Sequence, residues 1–246
     1  MITACYARPK RALNRGWCGF WMSVKEATSI VGGKGNADKM PGRTWGISAW
    51  DCYVGEKLSQ IKGSVCEKCY ARTNFYRMSN VKNAHARRKA SLSNPQWVPA
   101  QVVVTAKESY FRWFDSGDLQ SMSMLIKIVA VACMNPHVNY WLPTKEYAIV
   151  SKYRKMRGYV PPNLVIRVSA PMINQRLNSK YGLTSMVITD GHKVDSDVSI
   201  CDAAHTYKDG RKAVTITKDN KKQLGHCGDC RKCWDPTNKT TAYPIH

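Results

Sequence analysis

Residues 110–134 read YFRWFDSGDLQSMSMLIKIVAVACM. Tyr110–Phe114 is an aromatic-rich run of strand length, and Asp115-Ser116-Gly117-Asp118 is a polar turn. From Leu119 to Met134, the residues Met122, Ile126, Val129 and Cys133 recur at i, i+4, i+7 and i+11, which makes one apolar stripe on a helix. Working outward, the same alternation returns. Strands are predicted at Thr44–Ala49, Val138–Leu142, Leu164–Val168 and Met186–Thr189, and helices over Asn80–Leu92 and Glu146–Met156. After a longer first crossover the strands recur roughly every 25 residues, the length of a βα unit with short loops. The expected fold is α/β: a partial (β/α) barrel with a C-terminal cysteine-rich segment. In such sheets the chemistry sits on loops after the strands' C-terminal ends. Cys52 follows the first strand, Asp115–Asp118 the second, Thr144-Lys145 the third and Ser169 the fourth.

Three regions follow from this reading. Residues 1–43 are basic and irregular, with a glycine-rich piece from Gly32 to Gly42, and read as an arm or lid. Residues 44–195 hold the barrel pattern. Residues 196–246 are polar, lysine-rich and poor in apolar side chains, so a metal is expected to organise them. The longest mostly apolar run, Leu125–Met134, contains Lys127 and is too short to span a bilayer. The first residues lack the apolar centre of a secretory signal, so a cytoplasmic protein without membrane partners is expected. Thirty-eight Lys and Arg against 17 Asp and Glu give a formal charge of +21, which points to a polyanionic partner such as nucleic acid.

Of ten cysteines, seven fall in two groups. Cys52, Cys66 and Cys69 have a C-x13-C-x2-C spacing; Cys201, Cys227, Cys230 and Cys233 have C-x25-C-x2-C-x2-C. Cys5, Cys18 and Cys133 lie outside both, with Cys133 on the apolar helix face. Clustered cysteines without a secretion signal read as thiolates for metal rather than a disulfide framework. The second group offers four thiolates, which close either a tetrahedral zinc or a cubane cluster, and its C-x2-C-x2-C run matches iron–sulfur proteins. The first group has three. It is either a zinc site completed by His85, the nearest histidine in sequence, or a [4Fe–4S] cluster with one iron open to a ligand.

Several stretches resemble a known family. CEKCYA at 66–71, FDSGDL at 114–119, LPTKE at 142–146 and VIRVSAP at 165–171 are similar to motifs of radical S-adenosylmethionine enzymes, in particular the spore photoproduct lyase-like branch. The commonest spacing there is C-x3-C-x2-C, from which C-x13-C departs. More closely, SVCEKCYA, YFRWFDSGDLQS, YWLPTKEY and CGDCRKCW together resemble the phage "gene product eighty-eight" type family over most of residues 40–246. The resemblance implies two [4Fe–4S] clusters, S-adenosylmethionine as cofactor, a reductase, flavodoxin or ferredoxin as electron donor, and the host cytoplasm as location. It assigns the catalytic cluster to Cys52, Cys66 and Cys69, and an auxiliary cluster to Cys201, Cys227, Cys230 and Cys233. It gives contacts with S-adenosylmethionine to Ser116, Gly117, Asp118, Lys145, Arg167 and Ser169. Each has a simpler role open to it: Asp118 as cap of the helix near Leu119, Lys145 as a solvated lysine, Ser169 as a turn residue. Arg167 is unusual inside a strand and is expected to face a polar cavity, and Trp50 and Tyr70 read as hydrophobic shields of the cysteine site.

The expected substrate is nucleic acid or a nucleotide-level unit of it, modified at a base. Arg8, Lys10, Arg11 and Arg15 lie in the arm; Lys82, Arg87, Arg88 and Lys89 follow the first cysteine group; Lys221, Lys222, Arg231 and Lys232 flank the second. The competing reading is a nucleic-acid-binding protein with zinc or iron–sulfur sites and no catalysis.

Overall fold

The computed structural model describes residues 22–37, 40–157, 160–201, 203, 214–216, 222–224 and 227–245. Five strands rich in aromatic and β-branched residues stand side by side in chain order, all parallel: β2 (Arg43–Trp45), β3 (Tyr110–Trp113), β4 (Asn139–Thr144), β5 (Leu164–Ser169) and β6 (Thr184–Ile188). β1 (Gly35–Asn36) pairs antiparallel on one edge. At the other end β10 (Thr240–Pro244) inserts between β6 and β7 (Val198–Ile200), parallel to both. The order β1-β2-β3-β4-β5-β6-β10-β7 runs from edge to edge, an open eight-stranded sheet. The α/β class is as expected, and no closed barrel forms among the described residues. A separate antiparallel ribbon joins β8 (Val214–Ile216) and β9 (Lys222–Leu224).

Alternation along the parallel strands gives the sheet two faces. Trp45, Phe111, Trp113, Tyr140, Leu142, Leu164, Ile166 and Val168 turn to the helices and form the main core. There α1 (Val24–Ile30) packs on α4 (Trp97–Thr105), α4 on α5 (Met122–Met134), and α5 on α6 (Tyr147–Arg157). Trp45 anchors this layer, edge-on to Trp97 at 5.4 Å and to Trp113 at 6.1 Å, while its Nε1 donates to Val31 O. Burying each such side chain contributes about 1.5–3 kcal/mol of transfer free energy. The other face carries Trp141 and Val165, covered by Trp234 from the C-terminal segment.

Three sequence expectations change. The described part of the arm is not an arm: Ser23 caps α1 by accepting from Glu26 N, and Ala27 and Val31 are fully buried. Residues 1–21, including Arg8, Lys10, Arg11, Arg15, Cys5 and Cys18, lie outside the described residues. The helix expected from Leu119 begins at Met122, because Ser121 is its N-cap and Asp118 is not. Finally, the tail is built into the main sheet through β7 and β10 rather than appended to it. No helix among the described residues is long and apolar enough to cross a membrane.

Candidate functional site

β2 leads into a 3-10 turn, Ala49–Asp51, and Cys52 is the N-cap residue of α2 (Tyr53–Ser59). One turn into α2 stands Gly55. A Cβ built there would lie 3.5 Å from Cys52 Sγ and 3.7 Å from Cys66 Sγ, so both sulfurs border a space that the glycine keeps open. The thirteen residues between those cysteines are accounted for by α2 and then a strap. Val65 N donates to Pro171 O at 2.9 Å and Ile173 N to Gly63 O at 3.1 Å, fastening the strap to the loop after β5. Cys69 starts the 3-10 turn Tyr70–Arg72, and Tyr70 Oη donates to Asp115 O at 2.7 Å, in the turn after β3. Burial pushes the Cys52 thiol far above its ordinary value; Asp118, Cys69 and Cys66 add to this and Lys145 opposes it. Cys66 is raised for the same first reason, with Lys145 again opposing.

The motif LPTKE does its work through hydrogen bonds. Asp118 is buried, and its Oδ1 accepts from Leu119 N at 2.8 Å and Thr144 Oγ1 at 2.5 Å, while Oδ2 accepts from Lys145 N at 2.8 Å. Burial nonetheless pushes its carboxyl up to about 6, against those three bonds. Glu146, also buried, accepts from Val54 N at 3.0 Å in the first turn of α2. Thr144-Lys145-Glu146 thus ties the loops after β2 and β3 together, with Lys145 within electrostatic reach of Cys52 and Cys66. The turn before Asp118 lies flat on the exit from β2. Ile47 N donates to Ser116 O at 3.1 Å, and Gly117 has φ +79° with Ile47 Cγ1 only 2.5 Å from where a Cβ would stand. Ser116 Oγ and Asp115 Oδ1 are buried with no hydrogen-bond partner among the described residues. Ser169 accepts at Oγ from Ser185 Oγ at 3.0 Å, and at its carbonyl from Tyr147 Oη at 2.6 Å.

Cys52, Cys66, Cys69, Ser116, Gly117, Asp118, Lys145 and Ser169 therefore converge on the C-terminal edge of the parallel strands. Sequence reasoning passed over Gly55, Glu146 and Tyr147. The last two stand inside a quoted motif, but nothing in a one-letter string says that a glutamate is buried against a helix start. His85 goes elsewhere: buried, stacked on Tyr76, with Arg88, Asp115 and Asp51 as charged neighbours. Arg88 is itself buried and donates to Gly46 O, so it is not part of a basic surface. Trp50 and Tyr70 are exposed rather than shielding.

Arg167 also leaves the first site. It is 0% exposed, and its guanidinium donates to the carbonyls of Thr184, Lys232, Asp235, Asn238 and Lys239. It holds the loop of the second cysteine group against the sheet face opposite the helices. Cys233 lies there beside Trp141 and Trp234, with Tyr243 Oη 3.1 Å from its sulfur. The Cys227 thiol is pushed up to about 12, by burial first and then by Cys201, Cys233 and Cys230, so those three cysteines lie within electrostatic reach of it. Arg231 folds back onto the Gly228 and Cys230 carbonyls and over the Tyr110 ring at 4.9 Å. Lys221 and the side chain of Lys222 lie outside the described residues. Arg112, with its guanidinium 4.6 Å from the Trp141 ring centroid, is within electrostatic reach of Cys227 and Cys233 on one side and of Tyr70 and Asp115 on the other.

Among the described residues, no three His, Cys, Asp or Glu side chains meet the geometry of a single metal-ion site. Metal ligation requires thiolates, and metal loading is what deprotonates and gathers them. The donor chemistry and the space beside Gly55 fit a sulfur-ligated group at the first site, and the four neighbouring thiols fit one at the second. No curated protein and no solved structure matches the chain. The family model described as Gene product 88 matches residues 35–236, a span that includes all seven clustered cysteines and the Thr144-Lys145-Glu146 tie. The chain belongs to the gene product 88 family.

Proposed function

We propose that the chain is a radical S-adenosylmethionine enzyme whose catalytic cluster is held by Cys52, Cys66 and Cys69. The observation that carries this reading is the convergence of three thiols, without a fourth cysteine or a histidine among the described residues, at the C-terminal edge of a parallel sheet. When bound, a [4Fe–4S] cluster with three protein thiolates supplies the electron that splits the sulfonium of S-adenosylmethionine into methionine and a 5′-deoxyadenosyl radical. The residues around it have separate tasks. Lys145 offers its ammonium to the methionine carboxylate. The turn Asp115–Gly117 after β3 receives the methionine ammonium, while Asp118 is occupied in holding Lys145's loop. Ser169 and Tyr147 close the side formed by the loop after β5. Four thiolates at the second site leave no open position, so that group is structural or relays electrons from a reductase, flavodoxin or ferredoxin. A partial-barrel curvature of the open sheet belongs to the same reading.

The alternative is a zinc or iron–sulfur nucleic-acid-binding protein without catalysis; its zinc form takes His85 as the candidate fourth ligand, and His85 packs against Tyr76. Anaerobic reconstitution should give brown protein with about eight iron atoms per chain if both groups hold [4Fe–4S] clusters. Reduced protein with S-adenosylmethionine should form 5′-deoxyadenosine, Cys66→Ala should abolish it, and Cys230→Ala should keep the first cluster's spectrum. Stoichiometric zinc without visible absorbance, or 5′-deoxyadenosine still formed by Cys66→Ala, would overturn the assignment.

A further inference from the structure

Beside the three-cysteine site the protein exposes large side chains. Trp50 is 46% exposed, Tyr70 57% and Phe75 62%. They belong to one continuous surface: the turn Ala49–Asp51 packs on Tyr70–Arg72, that turn on a 3-10 turn at Asn74–Arg77, and the latter on α3 (Ser79–Ser91). The Tyr76 ring joins its neighbours, 5.8 Å from Tyr70 and 6.0 Å from Phe75. Asn74 has φ +42°, a left-handed conformation that asparagine tolerates, and the chain turns there immediately before Phe75.

Cations are interleaved with these rings. The Arg72 guanidinium lies 6.0 Å and the Lys82 ammonium 5.9 Å from the Trp50 ring centroid. Arg77, Lys82 and Arg87 are exposed along α3 and its approach, and only His85 and Arg88 of α3 are buried. Residues 50–92 carry nine lysines and arginines against three acids, and of the nine only Arg88 is buried. A hydrophobic partner protein would not be met by this much positive charge, and a duplex hides its base faces. Exposed rings flanked by cations suit unpaired bases, which stack while their phosphates are neutralised. Trp50 stands two residues before Cys52 and Tyr70 directly after Cys69, so a strand lying on these rings passes the thiol site.

We propose that this surface binds single-stranded nucleic acid and presents it to the Cys52/Cys66/Cys69 site. The chemistry that follows rests on the radical reading above; the binding itself does not. The test is fluorescence anisotropy of the full chain with labelled single strands of roughly 20 nucleotides, as DNA and as RNA, and with duplex DNA, across a salt series. Single strands should bind more tightly than duplex. Phe75→Ala and Trp50→Ala should each weaken single-strand binding about 5- to 100-fold with an unchanged melting temperature, and Trp50→Phe should recover most of the loss. Lys82→Gln with Arg87→Gln should lower the salt dependence instead. Duplex bound as tightly as single strands, or aromatic variants that bind single strands like the parent, would overturn the proposal. 5′-Deoxyadenosine formation without nucleic acid is measured on the same preparations. Its absence beside intact single-strand binding sinks the radical reading alone, and its presence without single-strand binding sinks the surface alone.

Discussion

Asp118 shows how a residue's type can be read correctly and its task misplaced. The sequence marks it as an acid in a glycine turn, fit for a cofactor or for a helix cap. The fold surrounds its carboxylate with three protein donors and removes it from water, and burial outweighs the donors. With a folded value of about 6 against 3.8 when exposed, the native chain binds the proton more tightly than the unfolded one. Stability from this group is therefore complete below about pH 4 and is lost as pH rises through 6, a slope totalling about 3 kcal/mol. Urea denaturation of the reduced, metal-free chain between pH 4 and 7 should show this decline. Asp118→Asn should flatten it, at a cost of about 1–3 kcal/mol because an amide cannot accept from all three donors. A slope unchanged in Asp118→Asn would show that another group titrates. Neither behaviour is visible in the sequence, since it depends on Thr144 and Lys145 arriving from another strand.

At the scale of elements, period and turn chemistry made most of the central strands legible. The five predicted strands are all present, shifted by a few residues at their ends, because alternation and bulky side chains report a pleated sheet directly. The helices α3, α5 and α6 were equally readable. α4 was not: WVPAQVVVT combines a proline in its first turn with a β-branched run, and only burial against α1 and α5 makes it helical. α2 was missed too, and it carries the more informative glycine. An exposed helical glycine with nothing to protect would gain roughly 1 kcal/mol when replaced by alanine. At Gly55 the new Cβ would lie 2.9 Å from Cys52 Cβ and intrude between the Cys52 and Cys66 sulfurs. Gly55→Ala should therefore lower iron at the first site by at least half while the second site fills normally, measured in a Cys230→Ala background and its parent. Full loading in Gly55→Ala would mean that the space beside this glycine is not the cluster's seat.

At the scale of the whole molecule, what could not be read was order across the sheet. Residues 196–246 look like an appendage because they are polar and follow the last βα unit, yet their final strand, β10, lies inside the sheet between β6 and β7. A strand's partner is fixed by contacts remote in sequence, and five short residues at a terminus carry no sign of where they will pair. The consequence is physical. Removing the segment strips β6 of one of its two neighbours and takes Trp234, whose Nε1 donates to Phe111 O and whose ring covers Trp141 at 5.3 Å. It also strips Arg167 of four of its five carbonyl acceptors together with the loop that covers it, and so opens this face of the sheet to water. Against a total stability of roughly 5–15 kcal/mol, these losses together should be decisive. A chain ending at residue 195 is therefore expected to lack a cooperative thermal transition and to elute as aggregate on gel filtration, whatever the state of Cys52, Cys66 and Cys69. Arg167→Met in the full chain removes this anchor alone, leaving those carbonyls without their donor, and should lower the melting temperature while keeping one cooperative transition. If the truncated chain instead melts cooperatively and elutes as a compact species, the segment is a true appendage, and the first cysteine group can be studied without the second.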